Sequence, residues 1–375
     1  MGLILMLVGV YVFLFLLRAY YRRHWADEVE SSIAFDRPFV TAGTSLNLVE
    51  VVTNRKRMPI PYLDLKFEMN KNLKLEETVG VSRTDKSYRD DIFSLLSFQR
   101  VTRKIPVVAG KRGLYFINGA QLVSSGIFME DIMIKPVEVA TQLTVYPKLV
   151  DVNQFEIPYA HLNGILEKAS FTDADPFAFR GIREYRPTDS MHAVNWKASA
   201  KSETFMVNTF NTTVSPDVCI LLDFDPVGNL TFQALQEESI SIAASFANEL
   251  IAEGVSVSLI SNGRDSVTDE EARIFSSSSM GHKNTIGTTL AMLDTEREVR
   301  PMAEVMEETV KFLQEKDATV FVLISSSQRK ETFEGLDALM KIANTPALAV
   351  VPLHADMPLE TPVTRAQVDR WEVSR

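Results

Sequence analysis

Residues 1–17 contain only apolar and uncharged side chains, and charged positions begin directly after them. As an α-helix this stretch would be about 25 Å long, slightly shorter than a hydrocarbon core of about 30 Å. The residues that follow combine positive charge with aromatic rings, as at a membrane interface: Arg18, Tyr20, Tyr21, Arg22, Arg23 and Trp25. The pattern predicts a single transmembrane helix with its basic flank over residues 1–27.

A cleaved signal peptide is the alternative interpretation of this apolar stretch. It would need a basic segment before the apolar run and a small-residue cleavage site after it, and the sequence has neither. Positive charge follows the run only on its C-terminal side, and the basic side of a membrane helix is the side that faces the cytosol. We therefore expect a single-pass protein of the cell membrane whose body is cytoplasmic.

Between residues 28 and 148, apolar and polar positions alternate over short runs. A period of two is that of a β-strand with one buried face, and glycine-containing turns such as AGKRG separate the runs. Many short strands at this spacing predict a β-sandwich. The clearest runs are 46–52, 62–67, 101–108, 114–117 and 142–146.

The pattern changes again towards the C-terminus, where strand-like and helix-like segments take turns. Residues 218–223 form a continuous apolar run, as expected for a strand that is covered on both faces. Helical spacing follows at Leu235, Ile242, Phe246 and Leu250. The alternation predicts a doubly wound α/β domain over residues 216–356. Residues 149–215 are interpreted as a connector, and residues 357–375 as a C-terminal tail.

Composition and motif content narrow the classes of function. The formal net charge is −10, whereas a general nucleic-acid binder needs a basic face, so we expect no nucleic-acid partner. The single cysteine, Cys219, excludes an intramolecular disulfide and a thiolate metal cluster, and its apolar neighbours predict a core position. The sequence contains no P-loop, G-x-S-x-G or G-x-G-x-x-G motif, so nucleotide binding and serine hydrolysis lack support.

The densest cluster of chemically versatile residues lies in the connector, at positions 175–201. Pro187 followed by Asp189 predicts the start of a short helix over residues 190–201, because an Asp side chain can accept from the free N–H groups of a first turn. The cluster consists of Arg180, Arg183, Tyr185, Arg186, Pro187, Asp189, Asn195, Trp196 and Lys197.

Two interpretations of this cluster are open. As a site, Arg183 and Arg186 would bind an anion while Asp189 and His192 move protons. As a structural clasp, Arg would pair with Asp and Trp196 would fill the junction between domains. Clusters of Arg and Asp are more often ion-pair networks than catalytic centres, which favours the clasp, with partner docking as a further role for exposed Arg and Trp.

The central motif, RGIREYRPTDSMHAVNWKASAK, resembles that of the bacterial family called domain of unknown function 58. The segments KRGLYFINGAQLVSSGIF and LTVYPKL resemble the strand pattern of the same family, and the C-terminal part resembles a von Willebrand factor A-type domain. Thr188, His192 and Asn195 stand where a typical member has Gly, Arg and Asp, and many members begin with two membrane segments.

The resemblance implies a partner and a role. Members of the family are often found beside MoxR-type AAA+ ATPases, and A-type domains commonly act as platforms that bind such machines. A membrane-tethered scaffold or adaptor without catalytic residues is therefore implied by kinship. The alternative is a metal-dependent enzyme that combines the central Arg, Asp and His residues with a degenerate metal site.

That metal site is also implied by the resemblance. A-type domains bind a divalent cation through a D-x-S-x-S run after the first strand, with further oxygen ligands from later loops. In this chain Asp223 matches, Asp225 replaces a Ser, Val227 has no ligating atom, and Thr288 is placed in a loop as a further ligand. Such a set could hold Mg²⁺ weakly. The alternative is that Asp223 and Asp225 cap loops at the edge of the sheet.

Overall fold

The computed structural model describes residues 2–75, 86–126, 131–172, 179–185, 194–202, 204–210, 216–226, 233–312, 319–360 and 363–374. The chain divides into two compact units, Met1–Lys148 and Leu149–Arg375. Together they form a mixed α/β structure with an N-terminal apolar helix and several sheets.

The first unit consists of one helix followed by strands. Its elements are α1 (Gly2–His24), β1 (Val29–Phe35), β2 (Phe39–Thr41), β3 (Ser45–Asn54), β4 (Ile60–Asn70), β5 (Leu73–Leu75), β6 (Lys86–Leu95), β7 (Arg100–Ala109), β8 (Gly113–Ser125) and β9 (Ile132–Tyr146). Within the described residues they form a four-stranded sheet in the order β1-β3-β7-β5 and a five-stranded sheet in the order β2-β9-β8-β4-β6.

The two sheets of the first unit share one hydrophobic core. Alternate positions of β3, including Leu48 and Val52, join Leu63 and Leu65 of β4 in a single buried cluster. Burial of each such side chain contributes about 1.5 to 3 kcal/mol, so the period-two pattern of the sequence decides which face of each strand is enclosed.

Helix α1 is the one helix in the described part of the chain that is long and apolar enough to cross a membrane. Its side chains from Leu3 to Leu17 are exposed in large part, whereas Tyr21 in its last turn is buried. Trp25 follows the helix and joins the core of the first unit together with Tyr21. Helix α1 is therefore exposed along most of its length, and its C-terminal end packs against the rest of the first unit.

The second unit contains the remaining helices and strands. They are α2 (Val152–Thr172), β10 (Phe179–Glu184), α3 (Trp196–Ser202), β11 (Met206–Phe210), β12 (Asp217–Asp223), α4 (Gln233–Ala252), β13 (Val257–Asp265), β14 (Glu271–Ser277), α5 (Met280–Met292), β15 (Leu293–Asp294), α6 (Met302–Phe312), β16 (Thr319–Ser325), α7 (Lys330–Ala343), β17 (Ala347–His354) and β18 (Gln367–Val373).

The main sheet of this unit is mostly parallel and is covered on both faces. Its described strands follow the order β14-β13-β12-β16-β17-β18, with β15 beside β13, and β14 and β15 run antiparallel to the rest. Ile220 and Leu222 of β12 face a core built with α2, α4 and α5, whereas Cys219 and Leu221 face a core built with α6 and α7. This accounts for the continuous apolar run at the centre of the sheet.

The short helix of the central motif differs from its predicted bounds. Residues 190–193 lie outside the described part, and Val194 forms an isolated bridge with Val207, so the helix begins only at Trp196. Asn195 caps it, because its side-chain oxygen accepts from the N–H of Ala198 at 2.9 Å. The expectation of a continuous helix over residues 190–201 is corrected accordingly.

The segment interpreted as a C-terminal tail contains a further strand of the main sheet. Strand β18 pairs in parallel with β17, and Trp371 is enclosed against α4, where its indole nitrogen donates to Glu238 at 2.9 Å. Aromatic burial and a satisfied indole N–H hold this end of the chain on the domain.

Candidate functional site

The carboxyl edge of the main sheet brings polar residues from three neighbouring strands together. Asp223 ends β12, Asn262 lies in β13 and Ser325 ends β16. Because these strands are parallel and adjacent, their carboxyl ends meet at one edge, where open α/β sheets bind ligands. Asp223, Asn262 and Ser325 are all buried, as is Asp225 just beyond β12.

Asn262 links the two carboxylates of this edge. Its side-chain nitrogen donates to Asp223 Oδ1 at 3.1 Å and to Asp225 Oδ1 at 2.9 Å, and its side-chain oxygen accepts from the N–H of Phe224 at 2.9 Å. Asp223 Oδ1 also accepts from the N–H of Asp225 at 2.8 Å. The loop after β12 is thus held by a closed set of hydrogen bonds.

The remaining carboxylate oxygens also have donors from the chain. The Ser325 hydroxyl donates to Asp223 Oδ2 at 2.6 Å. The N–H of Met302, at the start of α6, lies 3.2 Å from Asp225 Oδ1 and 3.3 Å from Asp225 Oδ2. A guanidinium nitrogen of Arg329 lies 3.8 Å from Asp225 Oδ2 and supplies positive charge.

Burial changes the acidity of both carboxyl groups. It raises the pKa of Asp223 to about 7, and the negative charge of Asp225 adds to the effect. The pKa of Asp225 is also raised by burial, although the N–H of Met302 and the charge of Arg329 oppose the shift. Both carboxyl groups therefore hold a proton to higher pH than exposed aspartates do.

These residues do not fit a magnesium site. Asp223 Oδ1 and Asp225 Oδ1 each already accept two hydrogen bonds from the chain, and each Oδ2 accepts one, so an Mg²⁺ ion would compete with internal donors for the few remaining lone pairs. No group of three or more His, Cys, Asp or Glu residues in the described part of the chain could hold a metal ion.

Thr288 lies inside helix α5 rather than in a loop, which corrects its expected position. Val227 lies outside the described residues.

A cavity of about 310 Å³ is lined in part by Arg329, whose guanidinium lies 3.8 Å from Asp225 Oδ2. Its walls come from the loops after β12, β16 and β17, namely Pro226, Ser327, Gln328, Arg329, Met357, Pro358 and Glu360. Gln328 fixes one wall, because its side-chain nitrogen donates to Pro358 O at 3.1 Å. The Ser327 hydroxyl is buried and has no hydrogen-bond partner among the described residues, so this wall retains an unused donor.

The central motif forms a separate small structure within the second unit. Strands β10 and β11 pair as an antiparallel ribbon, and α3 lies between them in the chain. The N–H of Asn195 donates to Met206 O at 2.8 Å, and the Ser199 hydroxyl accepts from the N–H of Met206 at 2.8 Å. These bonds hold α3 against the start of β11.

The aromatic residues of the motif lie at the surface. Trp196 is 62% exposed and Phe205 is 55% exposed. Their rings meet edge to face with centroids 6.3 Å apart, and Tyr185 meets Phe205 in the same way at 6.1 Å. Trp196 is therefore largely exposed, and the expectation that it fills the junction between domains stays a prediction.

The other predicted motif residues are described only in part. Arg183 donates to Glu184 O at 3.1 Å, and Lys197 is exposed. Arg180 lies in β10, but its side chain is outside the described part, as are Arg186, Pro187, Asp189 and His192. Because Asp189 lies outside the described part, the predicted ion pairs between Arg and Asp in this motif stay predictions.

Sequence reasoning missed Asn262 and Arg329 at the sheet edge. A polar pair, Ser261 and Asn262, interrupts the apolar pattern of β13, and that interruption was the available signal. The interruption did not identify Asp223 as the partner of Asn262, because the two residues come together only when β12 pairs with β13.

Comparison with known structures gives only low overall similarity. A CARDB domain from Pyrococcus furiosus is 11% identical, with 32% of this chain and 94% of that chain covered and a TM-score of 0.22. A β-glucosidase from Listeria innocua is 16% identical, with 30% and 16% covered and a TM-score of 0.19. A cohesin module from Clostridium perfringens is 13% identical, with 30% and 97% covered and a TM-score of 0.22. Likenesses at TM-scores of this size indicate neither a shared fold of the whole chain nor a shared activity.

Comparison with protein families is more informative. No curated protein matches the chain. The family model described as protein of unknown function DUF58 matches residues 181–356, a range that begins in β10 and ends beyond β17. It includes both the exposed aromatic residues of the central motif and the polar edge of the main sheet. This match supports the relation of the chain to the DUF58 family.

Proposed function

We propose that this chain is a non-enzymatic, membrane-tethered platform that binds a protein partner in the cytosol. The partner implied by the family resemblance is a MoxR-type AAA+ ATPase. The observation that carries the proposal is the exposed aromatic pair formed by Trp196 of the family motif and Phe205 just after it. Helix α1 would provide the tether, with the body on its basic, cytoplasmic side.

The motif surface has the composition of a docking site. Large aromatic residues contribute the most binding energy at protein interfaces, and exposed apolar patches mark such interfaces. Tyr185, just beyond β10, adds a third aromatic ring through its contact with Phe205, and Lys197 and Lys201 of α3 add charge. A purely structural role for Trp196 would require its burial, which the exposure of the ring argues against.

The main sheet also supports the proposal, because it would provide a rigid base for the binding surface. Its alternation of parallel strands and helices on both faces is what a von Willebrand factor A-like domain would have, and we propose that assignment for residues 216–356. The carboxyl edge would then be a second contact region, since it offers a cavity with Arg329 and the unused hydroxyl of Ser327.

The alternative of a metal-dependent enzyme has weaker support. Its metal would have to sit at Asp223 and Asp225, whose oxygens already accept hydrogen bonds from the chain. Its proposed proton-transfer residues, Asp189 and His192, lie outside the described part. Buried carboxylates that are held by Asn262 and Ser325 are better explained as loop anchors.

Capture of a purified MoxR-type ATPase by the full chain in detergent tests the proposal. We expect capture by the wild type and loss of capture by Trp196→Ala at an unchanged melting temperature. Phe275→Ala is the matched control, because Phe275 is also highly exposed but lies on β14. Capture must persist in a metal chelator. Equal capture by the wild type and by Trp196→Ala would overturn the assignment of this surface, and turnover of a substrate by the chain alone would overturn the platform itself.

A further inference from the structure

The C-terminal end of α1 is firmly attached to the first unit. Lys56 donates from its ammonium group to the carbonyl oxygens of His24 at 3.0 Å and Asp27 at 2.8 Å, and also to that of Trp25. Lys135 donates to the carbonyl oxygen of Ala26 at 2.8 Å. Cations at the end of a helix satisfy its free carbonyls and complement its dipole. Since Trp25 is also buried in the core, α1 enters the unit as a fixed rod rather than through a flexible linker.

The ion pair between Arg18 and Asp131 shows at which point along α1 the start of β9 lies. Arg18 is the first charged residue after the uncharged part of α1, and its guanidinium donates to Asp131 Oδ2 at 2.7 and 3.0 Å. When α1 spans a bilayer, Arg18 must lie at the boundary of the hydrocarbon core, where a charge becomes tolerable. Asp131 must lie at the same boundary.

Exposed apolar side chains lie beside these anchoring contacts. Ile132, directly after Asp131, is 79% exposed, and Ile134 is exposed on the same side of β9. The turn after β6 carries Phe98, which is 66% exposed and whose N–H donates to Lys56 O at 3.2 Å, next to the exposed Leu96. An isolated domain gains nothing from placing these residues in water.

Arginines surround the same region. Arg22, Arg23 and Arg57 are exposed and lie on the last turn of α1 and on the loop that carries Lys56, whereas Arg55 of the same loop pairs with Glu30 at 2.8 Å. Apolar and aromatic side chains interleaved with arginine match the headgroup layer of an anionic membrane, where apolar groups reach the acyl chains and cations meet lipid phosphates.

We propose that the first unit has a membrane face, formed by Ile132, Ile134, Leu96 and Phe98 with the surrounding arginines, which lies in the headgroup layer of an anionic bilayer. The strands of the first unit then make a second, peripheral membrane contact that fixes the orientation of this unit relative to the bilayer. This inference rests on the proposed function, because it requires α1 to span the membrane.

The test uses the full chain in nanodiscs that contain anionic lipid, with an environment-sensitive fluorophore on one introduced cysteine at a time. The probe positions are Ile132→Cys in the membrane face, Phe116→Cys as the control and Val10→Cys within α1.

Phe116 is an exposed residue of the same sheet, but it pairs with Gln142, towards the far end of β9. At about 3.3 Å per residue it lies about 30 Å along the strand from Ile132. The native Cys219 is buried and does not compete for the label. Quenchers attached to lipid near the headgroup or deep in the acyl chain report the depth of each probe.

We expect loss of fluorescence at Ile132→Cys with the shallow quencher, no loss at Phe116→Cys, and loss at Val10→Cys with the deep quencher. Absence of quenching at Ile132→Cys, or equal quenching at Phe116→Cys, overturns the membrane face while quenching at Val10→Cys leaves the tether intact. Absence of quenching at Val10→Cys overturns the tether, and with it the membrane face. Burial of the Ile132 probe without quenching, seen as a blue-shifted emission, would assign the face to a protein contact instead.

Discussion

Asn262 of β13 connects Asp223 and Asp225 through a single amide nitrogen, at 3.1 and 2.9 Å, although Asp223 ends β12 and Asp225 lies in the loop after it. The same nitrogen lies 3.0 Å from the carbonyl oxygen of Arg300, before α6. One buried side chain therefore joins β12, β13 and the start of α6 at the carboxyl edge of the sheet. The position usually available for a ligand between such strands is filled here by an internal hydrogen-bond network.

Substitution of Asn262 tests whether this network stabilises the second unit. Asn262→Ala leaves two buried carboxylates without a shared donor, and we expect a loss of about 2 to 3 kcal/mol in the free energy of unfolding. Thermal unfolding of the detergent-solubilised chain measures the change. Asn248→Ala is the control, because this half-buried side chain of α4 donates to the exposed carboxylate of Glu249, and its loss should change stability by no more than about 0.5 kcal/mol. Equal effects of the two substitutions would refute a stabilising role for the network.

The raised pKa of Asp223 predicts a pH dependence of stability. The folded-state pKa of about 7 is above the unfolded value, so the folded state holds the proton more tightly and the stabilising contribution is full at low pH. That contribution is lost as pH rises through about 7. We expect Asp223→Asn, which keeps the shape and cannot ionise, to unfold at a progressively higher temperature than the wild type between pH 5 and pH 8. Parallel melting curves of the two proteins across this range would contradict the prediction.

Titration with divalent cations tests the assignment of the carboxylates as loop anchors. Because their oxygens accept hydrogen bonds from Asn262, Ser325 and Met302, we expect no saturable heat when Mg²⁺ or Mn²⁺ is added to the full chain in detergent. Asp223→Ala provides the matched baseline. Heat in the wild type that disappears in Asp223→Ala would show that a cation displaces the internal donors, and would favour the metal-dependent alternative.

Removal of the lysine beneath α1 tests the attachment of the helix. Lys56 donates to three carbonyls, and burial lowers the pKa of its ammonium group to about 8, so this side chain has given up water for these contacts. We expect Lys56→Ala to cost about 1 to 2 kcal/mol and to speed tryptic cleavage after Arg22 and Arg23. Lys74→Ala, an exposed lysine of β5, should leave the cleavage rate unchanged. An unchanged rate in Lys56→Ala would mean that the lysine does not hold the helix end.

Local patterns of the sequence predicted much of the fold. The uncharged stretch of residues 1–17 is the bare part of α1, and the continuous apolar run at 218–223 is β12, with cores on both of its faces. Both follow from local composition, since an uncharged segment of this length forms an apolar helix, and a strand whose positions 218–222 are all apolar is covered on both faces. The pairing order of the strands had no local signal, and β18 was interpreted as part of a tail.

The candidate sites depended on contacts between distant parts of the chain. The sequence by itself determined that Asp223 ends a strand and that aromatic and basic residues crowd the central motif. Only the tertiary structure decided that Asn262 and Ser325 donate hydrogen bonds to Asp223, that Trp196 faces solvent, and that Lys56 donates to the carbonyls at the end of α1. The physical reason is that periodicity reports the burial of a residue within its own element, whereas hydrogen-bond partners and exposed patches are set by which elements pack side by side.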